Sequence, residues 1–152
     1  MSVTVRPLAE GDRAQWQGLY DGYHAFYDRP GLPQDFFDRA FARLMAGDPH
    51  DYAGLVAEQD GRLLGLVHYL FHAHMWFPEG ICYLQDLFAA PDARGKGVGR
   101  ALIQGVYDAA DAAGVPRVYW NTQEFNYAGR MLYDRIGERT PFIKYNRPLD
   151  GI

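Results

Sequence analysis

The spacing of apolar and polar positions changes along the chain, and each change marks an element. Val3 to Leu8 alternates apolar and polar residues, the two-residue period of a strand. From Asp12 onward, Trp16, Leu19, Tyr20, Tyr23 and Tyr27 recur every three or four positions. That spacing predicts an amphipathic helix with Asp12 as its N-cap, broken by Pro30-Gly31-Leu32-Pro33. A second helix is predicted over Gln34 to Met45, with Phe37, Phe41, Leu44 and Met45 on one face and Gly47 at its end. Tyr52 to Glu58 and Leu63 to Met75 read as strands joined by the hairpin dipeptide Asp60-Gly61. Ile81 to Ala89 is a third apolar run, closed by Ala90-Pro91-Asp92. Helical spacing returns over Gly99 to Ala113, through Leu102, Ile103, Val106, Tyr107 and Ala110, and Gly114 and Pro116 stop it. Arg117 to Thr122 reads as a strand, Tyr127 to Ile136 as a helix ended by Gly137, and Phe142 to Tyr145 as a last short strand. The order β-α-α-β-β-β-α-β-α-β predicts an α/β fold, a mixed sheet flanked by helices, in a single domain spanning residues 1–152.

Composition narrows the class of protein. A net charge of −4 and a pI near 5.7 argue against nonspecific nucleic-acid binding, which needs Lys and Arg to neutralise phosphates. No stretch reaches the roughly 20 apolar residues that cross a bilayer. No basic start followed by an apolar run resembles a signal peptide, and Cys82 is the single cysteine. The expectation is a cytoplasmic protein with no disulfide, no membrane and no nucleic-acid partner. An aromatic share of 15% points to a pocket or an interface lined with rings as well as a core.

The chemistry concentrates where the third apolar run meets the helix after it. Leu84 to Ala90 leads into Arg94-Gly95-Lys96-Gly97-Val98-Gly99-Arg100, and the glycine-rich turn opens directly into the amphipathic helix. Glycines let the backbone approach a ligand, and the first helical turn presents unpaired N–H groups at its positive end. With Arg94, Lys96 and Arg100 around it, the turn is a candidate phosphate or pyrophosphate cradle. Gly97 follows Gly95-Lys96 where a P-loop needs Ser or Thr, and Arg100 stands where the dinucleotide fingerprint needs its third glycine.

The pattern that remains, Arg94-x-x-Gly97-x-Gly99, resembles the acetyl-CoA signature of the GNAT superfamily of N-acetyltransferases. Asn126 to Gly137 is similar to that family's later helix, with Asn at its start, Leu132-Tyr133 near its end and Gly137 closing it. Tyr83-Leu84-Gln85-Asp86-Leu87-Phe88 and Glu124-Phe125-Asn126 resemble the diamine (spermidine/spermine-type) and thialysine branch. The resemblance implies a GNAT-like acyl-CoA N-acyltransferase fold. It also implies an enzyme that transfers acetyl from acetyl-CoA to a primary amine by direct attack, with no metal. The amine could belong to a polyamine, a lysine-like small molecule or a protein.

The resemblance also carries roles. Gly95, Lys96, Gly97, Val98, Gly99 and Arg100 would hold the CoA pyrophosphate, with Arg94 beside them. Leu87, Phe88 and Ala89 would pair through their backbone with the pantetheine arm, and Asn126 would cap its helix, touch that arm, or both. Tyr133, two helical turns beyond Asn126, would protonate the departing thiolate; a phenol with an ordinary pKa near 10 carries its proton at neutral pH. Asp86 and Glu124 are the carboxylates that could hold a cationic amine and accept its proton. Gln85 stands where the diamine branch has Glu, and an amide is no base. Either the base has moved to Asp86 or Glu124, or the acceptor differs from a polyamine. His68, His72 and His74 would share one face of an unbroken strand, as a metal cluster, a proton relay, or interface and surface residues. A non-catalytic acyl-CoA sensor or interaction module is the alternative to an enzyme, and a homodimer is the expected assembly.

Overall fold

A computed structural model describes residues 2–150 and builds them as a first unit through Asn121 and a second from Thr122 onward. In the first unit the strands are β1 (Thr4–Pro7), β2 (Ala53–Gln59), β3 (Arg62–His74), β4 (Phe77–Ala89) and β5 (Val118–Tyr119). They form one sheet in the order β1-β2-β3-β4-β5, antiparallel except for the parallel β4–β5 pair. Helices α1 (Arg13–Phe26), α2 (Gln34–Met45) and α3 (Val98–Ala112) belong to the same unit, and α4 (Tyr127–Ile136) to the second. The bounds of α2 and α4 are those the hydrophobic spacing predicts.

Strand alternation divides the core of the first unit into two layers. Val56, Leu66 and Phe88 meet Trp16, Tyr20, Phe37 and Phe41 of α1 and α2 on one face. The other face takes α3, whose Leu102, Ile103, Val106 and Ala110 are buried. Gly65 and Gly105 make that second layer possible. A Cβ on Gly65 would stand 2.8 Å from the Phe88 carbonyl oxygen and 2.8 Å from Val98, and one on Gly105 would stand 2.8 Å from Val5.

The turns follow their residues. Asp60 and Gly61 both take positive φ (52° and 79°), as a two-residue hairpin of the primed type requires. Asp12 stands at the start of α1, but its side chain does not cap it. Its carboxylate accepts from the two terminal nitrogens of the Arg6 guanidinium, each at 2.8 Å, and from the Ala9 N–H at 2.8 Å. An arginine two-point bond outcompetes a capping bond to a neutral amide.

Three predicted elements differ. β4 begins at Phe77, four residues before the apolar run: Phe77 pairs with His74 and Ile81 with His72, and Pro78 and Gly80 fall in the irregular stretch between those pairs. β5 keeps two residues of the six expected over Arg117 to Thr122. The last strand, over Phe142 to Tyr145, does not form. Phe142, Ile143 and Tyr145 are exposed, and extended residues without a neighbouring strand have no ladder to join.

Candidate active site

β4 carries the site because of one extra residue. Asp86 pairs with His68 and Leu84 with Tyr69, so two neighbours on β3 face three residues on β4, with Gln85 as the bulged one. Adjacent β3 residues face opposite sides, so the bulge turns Asp86 and Phe88 toward α1 while Leu84 stays with the α3 layer. Gln85 and Asp86 both line a cavity of about 380 Å³ between β4 and the two N-terminal helices. A regular strand would have sent these two neighbours to opposite faces.

Asp86 lies at the centre of a buried polar cluster and is only 3% exposed. Its Oδ2 accepts the Tyr20 hydroxyl at 2.9 Å and pairs with His68 Nδ1 at 2.9 Å. Trp16 Nε1 donates to His68 Nε2 at 3.0 Å. An indole nitrogen only donates, so Nε2 accepts and the imidazole hydrogen sits on Nδ1, aimed at Asp86. Burial pushes the Asp86 carboxyl up, but bonds from His68, Tyr23 and Tyr20 outweigh it and leave the carboxyl below its usual range. Burial, then the Asp86 charge, pushes the Tyr20 and Tyr23 phenols up, so both remain donors at neutral pH. The cavity floor is therefore a fixed carboxylate held by donors, able to attract a cationic amine.

The cavity wall is of opposite sign. Arg29, Arg39 and Arg43 line it with His24, Phe36 and Tyr52. Arg43 bonds Asp51 at 2.7 Å and lies over the Tyr52 ring, whose hydroxyl donates to Gln85 Oε1. Arg29 bonds the buried His24 through Nδ1 at 3.3 Å.

β4 also leaves an edge free. β5 pairs only with Cys82 and Tyr83, so from Leu84 to Ala89 the far side of β4 has no strand partner among the described residues. That edge, which includes Leu87, Phe88 and Ala89, runs through the short turn Pro91–Ala93 into the glycine-rich loop. Gly95 and Gly97 take φ of 80° and 79°, and a Cβ on either would meet nothing within 4 Å. Gly97 is the α3 N-cap, and among the described residues no side chain caps the helix and the first amide to find a backbone carbonyl is Ala101, onto Gly97. The Val98, Gly99 and Arg100 amides are thus left for an anion. Lys96 and Arg100 are exposed beside them. Arg94 instead lies over the Phe88 and Phe26 rings, at 5.4 and 5.9 Å, with its Nε toward the Ala89 carbonyl.

In the second unit, the Asn126 side chain caps α4 by accepting the Gly129 N–H at 3.3 Å. Tyr133 is half-buried on that helix, and Glu124 is exposed, its carbonyl accepting from Arg130. Sequence spacing points to none of Arg29, Arg39 and Arg43, and it groups His68 with His72 and His74 as a metal cluster, a proton relay, or interface and surface residues. The structure gives the three histidines separate partners instead. His72 bonds the Tyr119 hydroxyl at 2.8 Å, and His74 accepts the Trp76 N–H. Among the described residues no three candidate ligands gather to hold a metal. Nor is any described helix long and apolar enough to cross a membrane.

Residues 16–137 match the family described as "Acetyltransferase (GNAT) family". The chain belongs to this family. It is an acetyltransferase, and the GNAT match covers the bulged strand, the glycine-rich loop and α4 together. D-amino-acid N-acetyltransferase HPA3 of Saccharomyces cerevisiae is 32% identical over 95% of this chain and 90% of its own. Two solved structures share the fold. The ribosomal-protein-alanine N-acetyltransferase of Brucella melitensis has a TM-score of 0.82 at 24% identity, covering 97% of this chain and 100% of its own. AAC(6')-Iy, in complex with a bisubstrate analogue of CoA and acetylneamine, has a TM-score of 0.83 at 20% identity, covering 97% of this chain and 99% of its own.

Proposed function

We propose that this acetyltransferase takes acetyl from acetyl-CoA and delivers it to a primary amine seated in the cavity over Asp86. The observation that carries the reading is the construction of β4. One strand presents the Gln85–Asp86 bulge to the cavity, then a free edge, then a loop of unpaired amides opening α3. A polar arm lies naturally along such an edge and a diphosphate in such a loop. The loop fits the group, because its face is open and Lys96 and Arg100 supply positive charge.

In this reading acetyl-CoA supplies an activated acyl group on sulfur. The acceptor nitrogen must be neutral to attack. Asp86 attracts the ammonium, and its surplus proton leaves toward Asp86, Glu124 or water. The nitrogen then forms the new C–N bond as the C–S bond breaks, the sulfur takes the Tyr133 phenol's proton, and the proton that the acylated nitrogen sheds returns through solvent to the phenolate, leaving an amide, a thiol and a restored phenol. Cys82 offers no covalent route: it is wholly buried and burial pushes its thiol up to about 12. HPA3 supports an amino-acid acceptor. The diamine branch is supported only by the motifs around Tyr83–Phe88 and Glu124–Asn126, and Gln85 departs from it.

Two measurements test the proposal. Thermal shift with acetyl-CoA, NAD and ATP should show stabilisation by acetyl-CoA alone. Thiol release from acetyl-CoA across a panel of amines should show turnover that depends on the amine. Stabilisation by acetyl-CoA without any amine-dependent release would make the chain an acyl-CoA sensor instead.

A further inference from the structure

We infer that the acceptor carries a carboxylate as well as its amine, and that Arg29, braced by the buried His24, reads that carboxylate. The inference rests on the cavity being the acceptor site.

The charges lining the cavity are one carboxylate, Asp86, and three guanidiniums, Arg29, Arg39 and Arg43. Two of the three are already paired: Arg39 with Asp35 at 2.8 Å and Arg43 with Asp51 at 2.7 Å. Arg29 has no carboxylate partner among the described residues. A polyamine would bring further positive charge to a wall whose Arg29 is already unpaired, with Asp86 the one carboxylate among the described residues that lines the cavity. An amine that also carries a carboxylate brings one charge of each sign, matching Asp86 at the floor and Arg29 at the wall. Guanidinium suits this role because its planar fork meets a carboxylate at two points.

Arg29 is held in place twice, by backbone and by side chain. Helix α1 ends in a Schellman turn: the Arg29 N–H bonds the His24 carbonyl at 2.8 Å and the Asp28 N–H bonds Ala25 at 3.1 Å. Asp28 takes φ of 59°, an uncommon conformation for a residue with a Cβ, and it folds Arg29 back over the last turn. There the guanidinium donates to His24 Nδ1 at 3.3 Å. Because guanidinium only donates, Nδ1 accepts and the ring hydrogen sits on Nε2. His24 is 3% exposed, and its Nε2 is buried with no hydrogen-bond partner among the described residues. A buried imidazole that leaves its own N–H unsatisfied to face a cation is costly for the fold alone. Burial and the Arg29 charge lower the proton affinity of His24, which keeps the ring neutral and accepting. The pair therefore presents an oriented cation that no carboxylate among the described residues pairs with.

The test uses the full chain and matched acceptors: phenylalanine of either hand, 2-phenylethylamine (the same amine without the carboxylate), and spermidine. Acceptor affinity is read by calorimetry with CoA present, and kcat and KM by thiol release, for wild type, Arg29→Gln and Arg29→Lys. Wild type should favour an amino acid over the matched amine by about 10- to 100-fold, the range for one charge-assisted contact. Arg29→Gln should bring that ratio to about 1 through KM and Arg29→Lys should restore part of it, with the melting temperature of each variant measured beside it because His24 Nδ1 loses its Arg29 donor. Equal or better use of phenylethylamine or spermidine by wild type, or equal losses for both acceptors in Arg29→Gln, would overturn the inference. If an amino acid binds through Arg29 and nothing turns over, acetyl transfer fails and the carboxylate site stands. If acetyl-CoA is consumed with amines but no carboxylate preference appears, the reverse holds. Binding of neither acceptor overturns the carboxylate site.

Discussion

Trp16 Nε1 donates to His68 Nε2 at 3.0 Å, and this buried bond decides which imidazole nitrogen faces Asp86. Replacing Trp16 by Phe keeps a ring in the core but leaves a buried acceptor without its donor. The variant should lose about 1–3 kcal/mol from that unsatisfied nitrogen, before any loss of packing. Urea unfolding measures it, and a midpoint equal to wild type would show that the bond does not matter.

Asp86 links the cluster to pH. Its carboxyl lies below the usual range in the folded state, because the bonds from His68, Tyr23 and Tyr20 outweigh burial. A depressed pKa contributes stability above the unfolded value of about 4, and the contribution is lost as pH falls through the folded value. Asp86→Asn keeps an oxygen that can accept both bonds now made to Oδ2. The stability gap between wild type and this variant should be full at neutral pH and shrink below pH of about 4. Denaturant titrations at several pH values should show it, and a gap independent of pH would place the charge elsewhere.

At Gly65 the sheet packs tightly on both β4 and α3. A methyl group there meets the Phe88 carbonyl oxygen at 2.8 Å, and backbone cannot swing aside as a side chain can. Gly65→Ala should destabilise the protein by about 1–3 kcal/mol, the usual cost of overpacking. Calorimetric melting is the readout, and an unchanged melting temperature would mean that the Phe88 carbonyl and the α3 side chains give way without cost.

Gly97 combines a backbone requirement with a binding one. Its φ of 79° costs any L side chain about 1–2 kcal/mol, yet a Cβ there meets no neighbour within 4 Å. Gly97→Glu should therefore still fold while placing a carboxylate before the first-turn amides of α3. Calorimetry should show acetyl-CoA binding abolished. Normal binding by a folded variant would put the diphosphate elsewhere.

Much of the framework is legible in the sequence because it depends on local signals. The spacing of Phe37, Phe41, Leu44 and Met45 marks α2, Asp60-Gly61 marks the β2–β3 hairpin, and Asn126 and Gly137 bound α4. Asp86 and the glycine-rich loop are also readable, since strand, glycines and helix adjoin in sequence. The bulge at Gln85 is not, because one inserted residue leaves the hydropathy of β4 unchanged while reversing which face each side chain takes. Nor can spacing find the role of His68, whose partners Trp16 and Asp86 come from distant segments. Nor can spacing find the wall arginines: a cation on α2, like Arg39 and Arg43, or just past the end of α1, like Arg29, reads as solvent-facing until a cavity is seen beside it. The strand expected over Phe142 to Tyr145 fails because aromatic content measures propensity, whereas a strand needs a partner edge.

The most direct test of acetyl transfer to an amine is thiol release from acetyl-CoA, followed with acetylated product in the same reaction, for wild type and Tyr133→Phe. Wild type should release thiol and acetylate the amine in equal amounts, and the variant should bind acetyl-CoA as well but turn over about 10²-fold more slowly or worse. Acetyl-CoA bound by wild type with no amine-dependent thiol release from any acceptor would contradict the account.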